Sequence, residues 1–327
     1  MSAHVQAFQD TTQTVAVIGA GLIGLSWAAL FTAAGKQVNL YDSRPEAGQC
    51  MAEFWASVKP TLIQLGLAEP TSEPRIEVFA TLGDALRDAD FVQECIPERL
   101  EAKRILYAEI EPLLKAGAIV ATSSSGLKLS DLQAGWQAPG RIIIAHPFNP
   151  PHLIPLVELY GNEFTDADVL PAATAFYERC GKVVITLRRE VMAHVANRLQ
   201  AALWRESIHL VLEGVASLKD IDTAVNAGPG LRWAVMGPHL LLNLGGGEGG
   251  LRAYCEQFKD SYHQWWNDLG TPQLTPGNID TLVNALQEEI AGRDYAQLRA
   301  ERDAKLVAIL AAMKEVDNRL PQTARRD

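Results

Sequence analysis

Two acid–base side chains stand twelve residues apart in otherwise apolar surroundings: His146 follows the run Ile142–Ala145, and Glu158 sits inside the run Leu156–Tyr160. Short apolar runs of this kind read as buried strands. The imidazole is then expected at a strand's carboxyl end, where doubly wound sheets bind their ligands. An ionised carboxylate between Val157 and Leu159 is costly without a stabilising partner, and a protonated His146 is such a partner. Pro150 and Pro151, after Asn149, force an extended turn that brings the second run back beside the first. A carboxylate-oriented imidazole that titrates near neutrality is suited to take the proton of an alcohol. The plainer alternative puts Glu158 on the solvent side of an edge strand and leaves His146 as a mere strand end. His152 is a rival base, expected to be exposed because it follows the two prolines in a turn.

The start of the chain carries a second site of strand-end type. Thr14–Ile18 reads as a buried strand, Gly19-Ala20-Gly21-Leu22-Ile23-Gly24 as a loop opening a helix to about Ala34, and Gln37–Tyr41 as a strand ending at Asp42. Gly35 caps the helix, so the whole is one βαβ unit. Gly19 and Gly21 let the backbone bend tightly and approach a pyrophosphate, which a helix amino terminus holds through free N–H groups and its dipole. Gly24 permits close packing of helix on sheet. Asp42, eighteen residues later, accepts hydrogen bonds from an adenosine ribose, which favours NAD over NADP. Arg44 keeps the other option open, since a guanidinium there is able to hold a 2'-phosphate.

Further strand-like runs, Arg75–Phe79, Phe91–Ile96 and Ala118–Ala121, alternate with helical segments such as Pro45–Gly66 and Glu98–Leu114. Thr122-Ser123-Ser124-Ser125-Gly126 follows a strand at the same edge as the glycine loop; its hydroxyls either bond a ligand or belong to an ordinary hydrophilic loop. Asp166–Cys180 reads as a helix and Lys182–Leu187 as the last strand. From Val191 only helical periodicity remains, in the segments 193–213, 219–226, 231–243, 251–269 and 279–316. The expected fold is therefore α/β, a Rossmann-type doubly wound, mostly parallel sheet in a domain of residues 1–189, followed by an all-helical domain of residues 190–327. The run Gly245–Gly250 is expected to be a mobile loop between helices. The start of the chain is expected to fray, and Pro321–Asp327 to be a disordered tail.

Composition narrows the function class. With 327 residues, 48% of them hydrophobic, the chain has ample core for two domains or one large one. A formal net charge of −10 argues against nucleic-acid or anionic-membrane partners, which demand a basic surface. Four scattered cysteines suggest neither a metal site nor a disulfide framework, and fit a cytoplasmic protein. The uncharged span Val15–Ala34 has the length of a membrane helix, but its glycines mark strand, loop and helix instead.

These motifs together resemble the NAD-dependent L-3-hydroxyacyl-CoA dehydrogenase superfamily over nearly the whole chain. The resemblance rests on GAGLIG with Asp42, PERLEAK (Pro97–Lys103), SSSGL (Ser123–Leu127), HPFNP (His146–Pro150), LVEL (Leu156–Leu159) and ANRL (Ala196–Leu199). It implies that His146 and Glu158 are a catalytic dyad, that Ser125 and Asn197 bond the substrate's oxygens, and that Asn149 helps fix the site. It further implies that Gly19, Gly21, Leu22, Ile23 and Gly24 hold NAD with Asp42, Glu98, Lys103 and Ser123, the last standing where the family usually has Asn. Met192-Ala193-His194 departs from the family's Pro-Gly-Phe.

Coenzyme A carries phosphates that need basic partners, whereas the segment after the second strand holds Lys59 alone. ALWRES (Ala202–Ser207), EGVAS (Glu213–Ser217), GPGLRW (Gly228–Trp233) and LGGGEGG (Leu244–Gly250) resemble the L-carnitine dehydrogenase branch, then the L-gulonate 3-dehydrogenase and lambda-crystallin branch. The expectation is an NAD-linked oxidoreductase of a small 3-hydroxy acid, forming a homodimer; a crystallin-like structural or NAD-sensing protein is the non-enzyme alternative. For a quaternary ammonium, Trp204, Trp233, Tyr254, Trp265 and Trp266 offer cation–π contacts, with core or dimer packing as the alternative. Arg198, Arg205 and Arg232 are candidates for a substrate carboxylate.

Overall fold

The computed structural model describes residues 13–319. The expected frayed start, up to residue 12, and the tail Pro321–Asp327 lie outside them. Strands β1 (Thr14–Ile18), β2 (Gln37–Tyr41), β3 (Ile76–Phe79), β4 (Phe91–Glu94), β5 (Ile119–Thr122), β6 (Ile142–Pro147), β7 (Leu156–Tyr160) and β8 (Val183–Thr186) form one sheet. Their order is β3-β2-β1-β4-β5-β6-β7-β8, and every neighbouring pair is parallel except β6 and β7. The sheet reverses its winding between β1 and β4, so a crevice opens at their carboxyl ends.

Both faces of the sheet are covered, which is why its central strands are apolar throughout. Val15 and Val17 pack into one hydrophobic cluster and Ala16 and Ile18 into another; Ile143 and Ala145 divide from Ile142 and Ile144 in the same way. On the first face, helix Leu22–Ala33 sets Trp27 and Phe31 against Phe91, Phe176 and Tyr177, with Phe91 and Phe176 stacked at 4.1 Å. The antiparallel exception arises because residues 148–155 connect β6 to β7 by a turn, containing the cis peptide Asn149–Pro150, in place of a crossover helix.

After β8 the described chain is helical, as expected, but two of the periodic segments are interrupted. The segment 231–243 is two helices, Pro229–Val235 and Pro238–Gly245, because each proline starts a helix where a missing N–H costs nothing. The segment 279–316 is divided into Pro276–Ile290 and Tyr295–Arg319 by Ala291 and Gly292, both with left-handed backbones. The glycine run is not the open loop expected of it. Gly247–Gly249 makes one 3₁₀ turn and Gly250 already begins the helix Gly250–Asp268. Glycine is required there by crowding: a Cβ on Gly246 would lie 1.9 Å from the Gly250 carbonyl oxygen.

The chain divides into two compact units, one reaching to Asn197 and including Leu306–Ala311, the other holding Arg198–Lys305 and the chain from Ala312. Among the described residues, no helix is long and apolar enough to cross a membrane.

Candidate active site

The antiparallel pairing of β6 and β7 sets His146 directly opposite Glu158. Nδ1 of His146 lies 2.8 Å from Oε2 of Glu158, and both side chains are buried. The second carboxylate oxygen is also used: Oε1 of Glu158 accepts the amides of Val195 at 2.8 Å and Ala196 at 3.0 Å. Burial alone would raise the pKa of Glu158, but the bond from His146 and the two amides outweigh it and hold the carboxyl below its ordinary value. An ionised carboxylate only accepts hydrogen bonds, so the proton of a neutral His146 sits on Nδ1 and Nε2 keeps its lone pair. The amide nitrogen of Asn197 is 3.5 Å from that Nε2. This geometry excludes the solvent-facing alternative for Glu158.

The hydroxyl-rich loop after β5 is fixed from beneath. Oε1 of Glu98 accepts from Ser124 Oγ at 2.7 Å, and from the amides of Ser125 at 2.9 Å, Gly126 at 2.7 Å and Leu127 at 3.2 Å. These bonds overcome partial burial and hold the Glu98 carboxyl below its ordinary range. The Ser123 amide donates to the Glu94 carbonyl at 2.9 Å, and its Oγ accepts from Gln93 Nε2 at 2.9 Å and lies 3.2 Å from Cys95 Sγ.

Beside the loop runs a cleft of about 1010 Å³, bordered by Gly19, Gly21, Leu22, Ile23, Asp42, Glu98, Ser123 and Ser125. Gly19 has φ +103°, and a Cβ there would meet the Cys95 carbonyl oxygen at 2.8 Å; on Gly24 it would meet the Gly19 oxygen at 1.7 Å. Gly21 differs, since a Cβ there would meet nothing within 4 Å. The protein leaves that space free at the amino terminus of helix Leu22–Ala33, as a pyrophosphate requires. Asp42 accepts from the Ala20 amide at 2.6 Å and from the Arg44 amide and Nε at 2.9 Å each. Partial burial opposes ionisation of Asp42, but the Arg44 side chain and these amides prevail and lower its pKa. Arg44 also donates to the Ala20 carbonyl at 2.8 Å, so its guanidinium is engaged by the loop itself. The residues present therefore fit a dinucleotide with a free ribose.

Two candidate residues, Lys103 and His152, stand elsewhere than expected. Lys103 is buried and does not border the cleft: its Nζ bonds both Glu94 oxygens at 2.7 and 2.8 Å, and stays 3.9 Å from Glu98. Glu94 needs that cation because it is wholly buried, where it also accepts from Tyr107 and Thr122 hydroxyls. His152 is buried rather than exposed. Its Nδ1 lies 2.7 Å from Ser26 Oγ, which in turn accepts the His152 amide. Asn149 is exposed beside the cis peptide.

Sequence reasoning passed over His194. Its ring is buried with its centroid 4.9 Å from that of His146, and Nε2 lies 3.0 Å from the Ser124 carbonyl oxygen. The available signal was the replacement of an apolar Pro-Gly-Phe by a segment containing a second histidine. In the helical unit, Trp204, Trp233, Trp265 and Trp266 are all partly exposed, with Trp265 and Trp266 packed against Tyr262 at 5.0 and 5.5 Å between centroids. Arg198, Arg205 and Arg232 are exposed as well.

Comparison with known proteins agrees along the length of the chain. The 3-hydroxyacyl-CoA dehydrogenase NAD binding domain matches residues 14–191, and the C-terminal domain of the same family matches residues 194–273. An L-carnitine dehydrogenase of Nocardiopsis dassonvillei is 42% identical, over 97% of this chain and 96% of its own. One of Streptomyces griseus is 44% identical, over 96% and 93%. Among solved structures, 5-formyl-3-hydroxy-2-methylpyridine 4-carboxylic acid 5-dehydrogenase, described as an NAD+ dependent dismutase, aligns with a TM-score of 0.80. It is 28% identical, and the match covers 93% of this chain and 99% of that one.

Proposed function

The chain belongs to the 3-hydroxyacyl-CoA dehydrogenase family and is an NAD-dependent dehydrogenase of a hydroxyl group, and from that premise we propose a small free 3-hydroxy acid of the L-carnitine kind as its substrate, oxidised with His146 and Glu158 as the catalytic dyad. The observation that carries the dyad is the 2.8 Å contact between Nδ1 of His146 and a carboxylate whose other oxygen is saturated by two amides. Bound NAD supplies the hydride acceptor. Nε2 of His146 takes the hydroxyl proton, and Glu158 holds the ring in the right tautomer and stabilises the imidazolium that results. Asn197 and Ser125 orient the substrate oxygen, with Asn149 at the edge of the site. Gly19, Gly21, Leu22, Ile23 and Gly24 form the pyrophosphate cradle, Asp42 binds the adenosine ribose, and Glu98 and Ser123 border the nicotinamide side. Lys103 acts from below by holding Glu94.

A free acid is favoured over a thioester by two features. The relatives from Nocardiopsis dassonvillei and Streptomyces griseus are L-carnitine dehydrogenases by name, and helix Ala47–Gln64 offers coenzyme A phosphates only Lys59. The helical region, residues 190–327, serves substrate binding and dimerisation, and the enzyme works in the cytoplasm, in keeping with four cysteines that form no disulfide.

NADH formation with L-carnitine, L-gulonate, L-3-hydroxybutyrate and L-3-hydroxybutyryl-CoA tests this, with His146→Ala as the control. Turnover of a free acid, lowered about 10²–10⁴-fold in the variant, is the expected result. A preference for the thioester would overturn the substrate, and undiminished turnover by His146→Ala would overturn the dyad.

A further inference from the structure

His194 occupies an unusual place for an imidazole. Both Ala193 and His194 have left-handed backbones, φ 61° and 51°, and neither is glycine. Such backbones are costly for residues with a Cβ, so the turn persists because its surroundings dictate it. Two consequences of the turn reach the dyad. It directs the amides of Val195 and Ala196 onto Glu158, and it buries the His194 ring against His146, at 4.9 Å between centroids and 41° between planes.

The tautomer follows from the partner. The Ser124 carbonyl, 3.0 Å from Nε2, only accepts, so the His194 proton sits on Nε2. Ser124 belongs to the loop that carries Ser125, and its own hydroxyl bonds Glu98. One ring thus ties the serine loop to the wall of the catalytic imidazole.

We propose that His194 is a positioning residue of this active site: neutral, it braces the His146 ring against the serine loop, and protonated, it places a second cation beside His146 and shuts the reaction off in acid. The proposal rests on His146 being the base. The ionisable groups around His194 are His146 on β6, Glu158 on β7 and Glu98 ahead of helix Leu100–Ile110. Burial holds His194 below the ordinary histidine range, against the opposing pull of the Ser124 bond and the two carboxylates. The neutral ring is therefore the working form near neutrality.

The test compares the pH profiles of kcat and kcat/KM for NAD reduction in the wild type, His194→Phe and His194→Ala. Phenylalanine keeps an aromatic wall and removes the titration. The acid limb of the wild type is expected to contain a step that belongs to His194 and lies below the ordinary histidine range. His194→Phe loses that step, whatever the height of its plateau. His194→Ala lacks it too, and with no wall behind His146 its kcat falls about tenfold or more while KM for NAD changes little. Superimposable acid limbs for wild type and His194→Phe would overturn the proposal. His146→Ala, assayed in parallel, separates that failure from a failure of the dyad: retained activity there removes the base itself, irrespective of His194.

Discussion

Glu158→Gln removes the charge of the dyad and, with its single oxygen kept on His146 Nδ1, turns an NH2 group toward the amides of Val195 and Ala196. The imidazolium is then no longer stabilised, so kcat is expected to fall about 10²–10⁴-fold. Cofactor affinity, measured by NADH fluorescence, should hold, since Glu158 does not border the cleft. The same exchange alters stability in acid. The folded pKa of Glu158 lies below its unfolded value, so its contribution is complete above the unfolded pKa, about 4.3, and is lost as pH falls through the folded one. Urea midpoints of Glu158→Gln should therefore decline less steeply than wild type below about pH 4; parallel declines would contradict it. At this scale the sequence was informative wherever a residue type was costly in its context. Glu158 among apolar neighbours required a partner, and His146 was in reach. Lys103 was singled out by its motif alone, which carries no sign that Glu94, inside an apolar strand, takes its ammonium. His194 was marked only as part of a departure from Pro-Gly-Phe, and its place against His146 was not legible because left-handed backbone carries no residue signature when the residues are Ala and His.

The turn between β6 and β7 shows what governs at the level of elements. It positions Asn149 and His152, and Lys182 fastens it: Nζ donates to the carbonyls of Pro151 at 2.7 Å and Ile154 at 2.6 Å, over the Trp27 ring at 5.1 Å. Burial pushes the Lys182 ammonium down to about 7. Between that value and the ordinary 10.5 the unfolded chain binds a proton that the folded chain does not, so stability rises with pH across this window; below it both states are charged and the cost of burial is complete. Lys182→Met keeps the apolar stem and removes the titration. The stability difference between wild type and Lys182→Met should shift in favour of wild type as pH is raised from about 7 to 10, read from thermal midpoints at several pH values. A constant difference would show that Lys182 does not titrate there. Periodicity made the sheet legible because burial on both faces leaves continuous apolar runs, and it made the turn itself legible through two prolines. It could not show His152 swinging inward onto Ser26, a contact spanning 126 residues. Nor could it show the breaks at Pro238 and Ala291, where helical patterning continues across a local change of direction.

Over the whole molecule, burial is distributed unevenly. The unit that ends at Asn197 has a dense core on both faces of its sheet, whereas between Arg198 and Lys305 only Ile208 and Ile221 are buried apolar side chains. Large apolar side chains there remain in solvent: Leu199 is 65% exposed, Trp266 60%, Trp204 56% and Val283 50%. Helices of this length gain most of their stability by burying an apolar face, and two buried side chains do not offset the ordering of so many residues. The expected cover is a second copy of the chain, since a homodimer buries the same patch on both partners. Light scattering should then give twice the 35.6 kDa chain mass. Because folding and association are coupled in such a dimer, the unfolding midpoint should rise with protein concentration. Val283→Asp places a charge on that face and should lower the midpoint and weaken association together, with the concentration dependence moved to higher protein. A monomer whose midpoint is independent of concentration would refute the dimer and leave the exposed tryptophans to be explained by the substrate's cation instead.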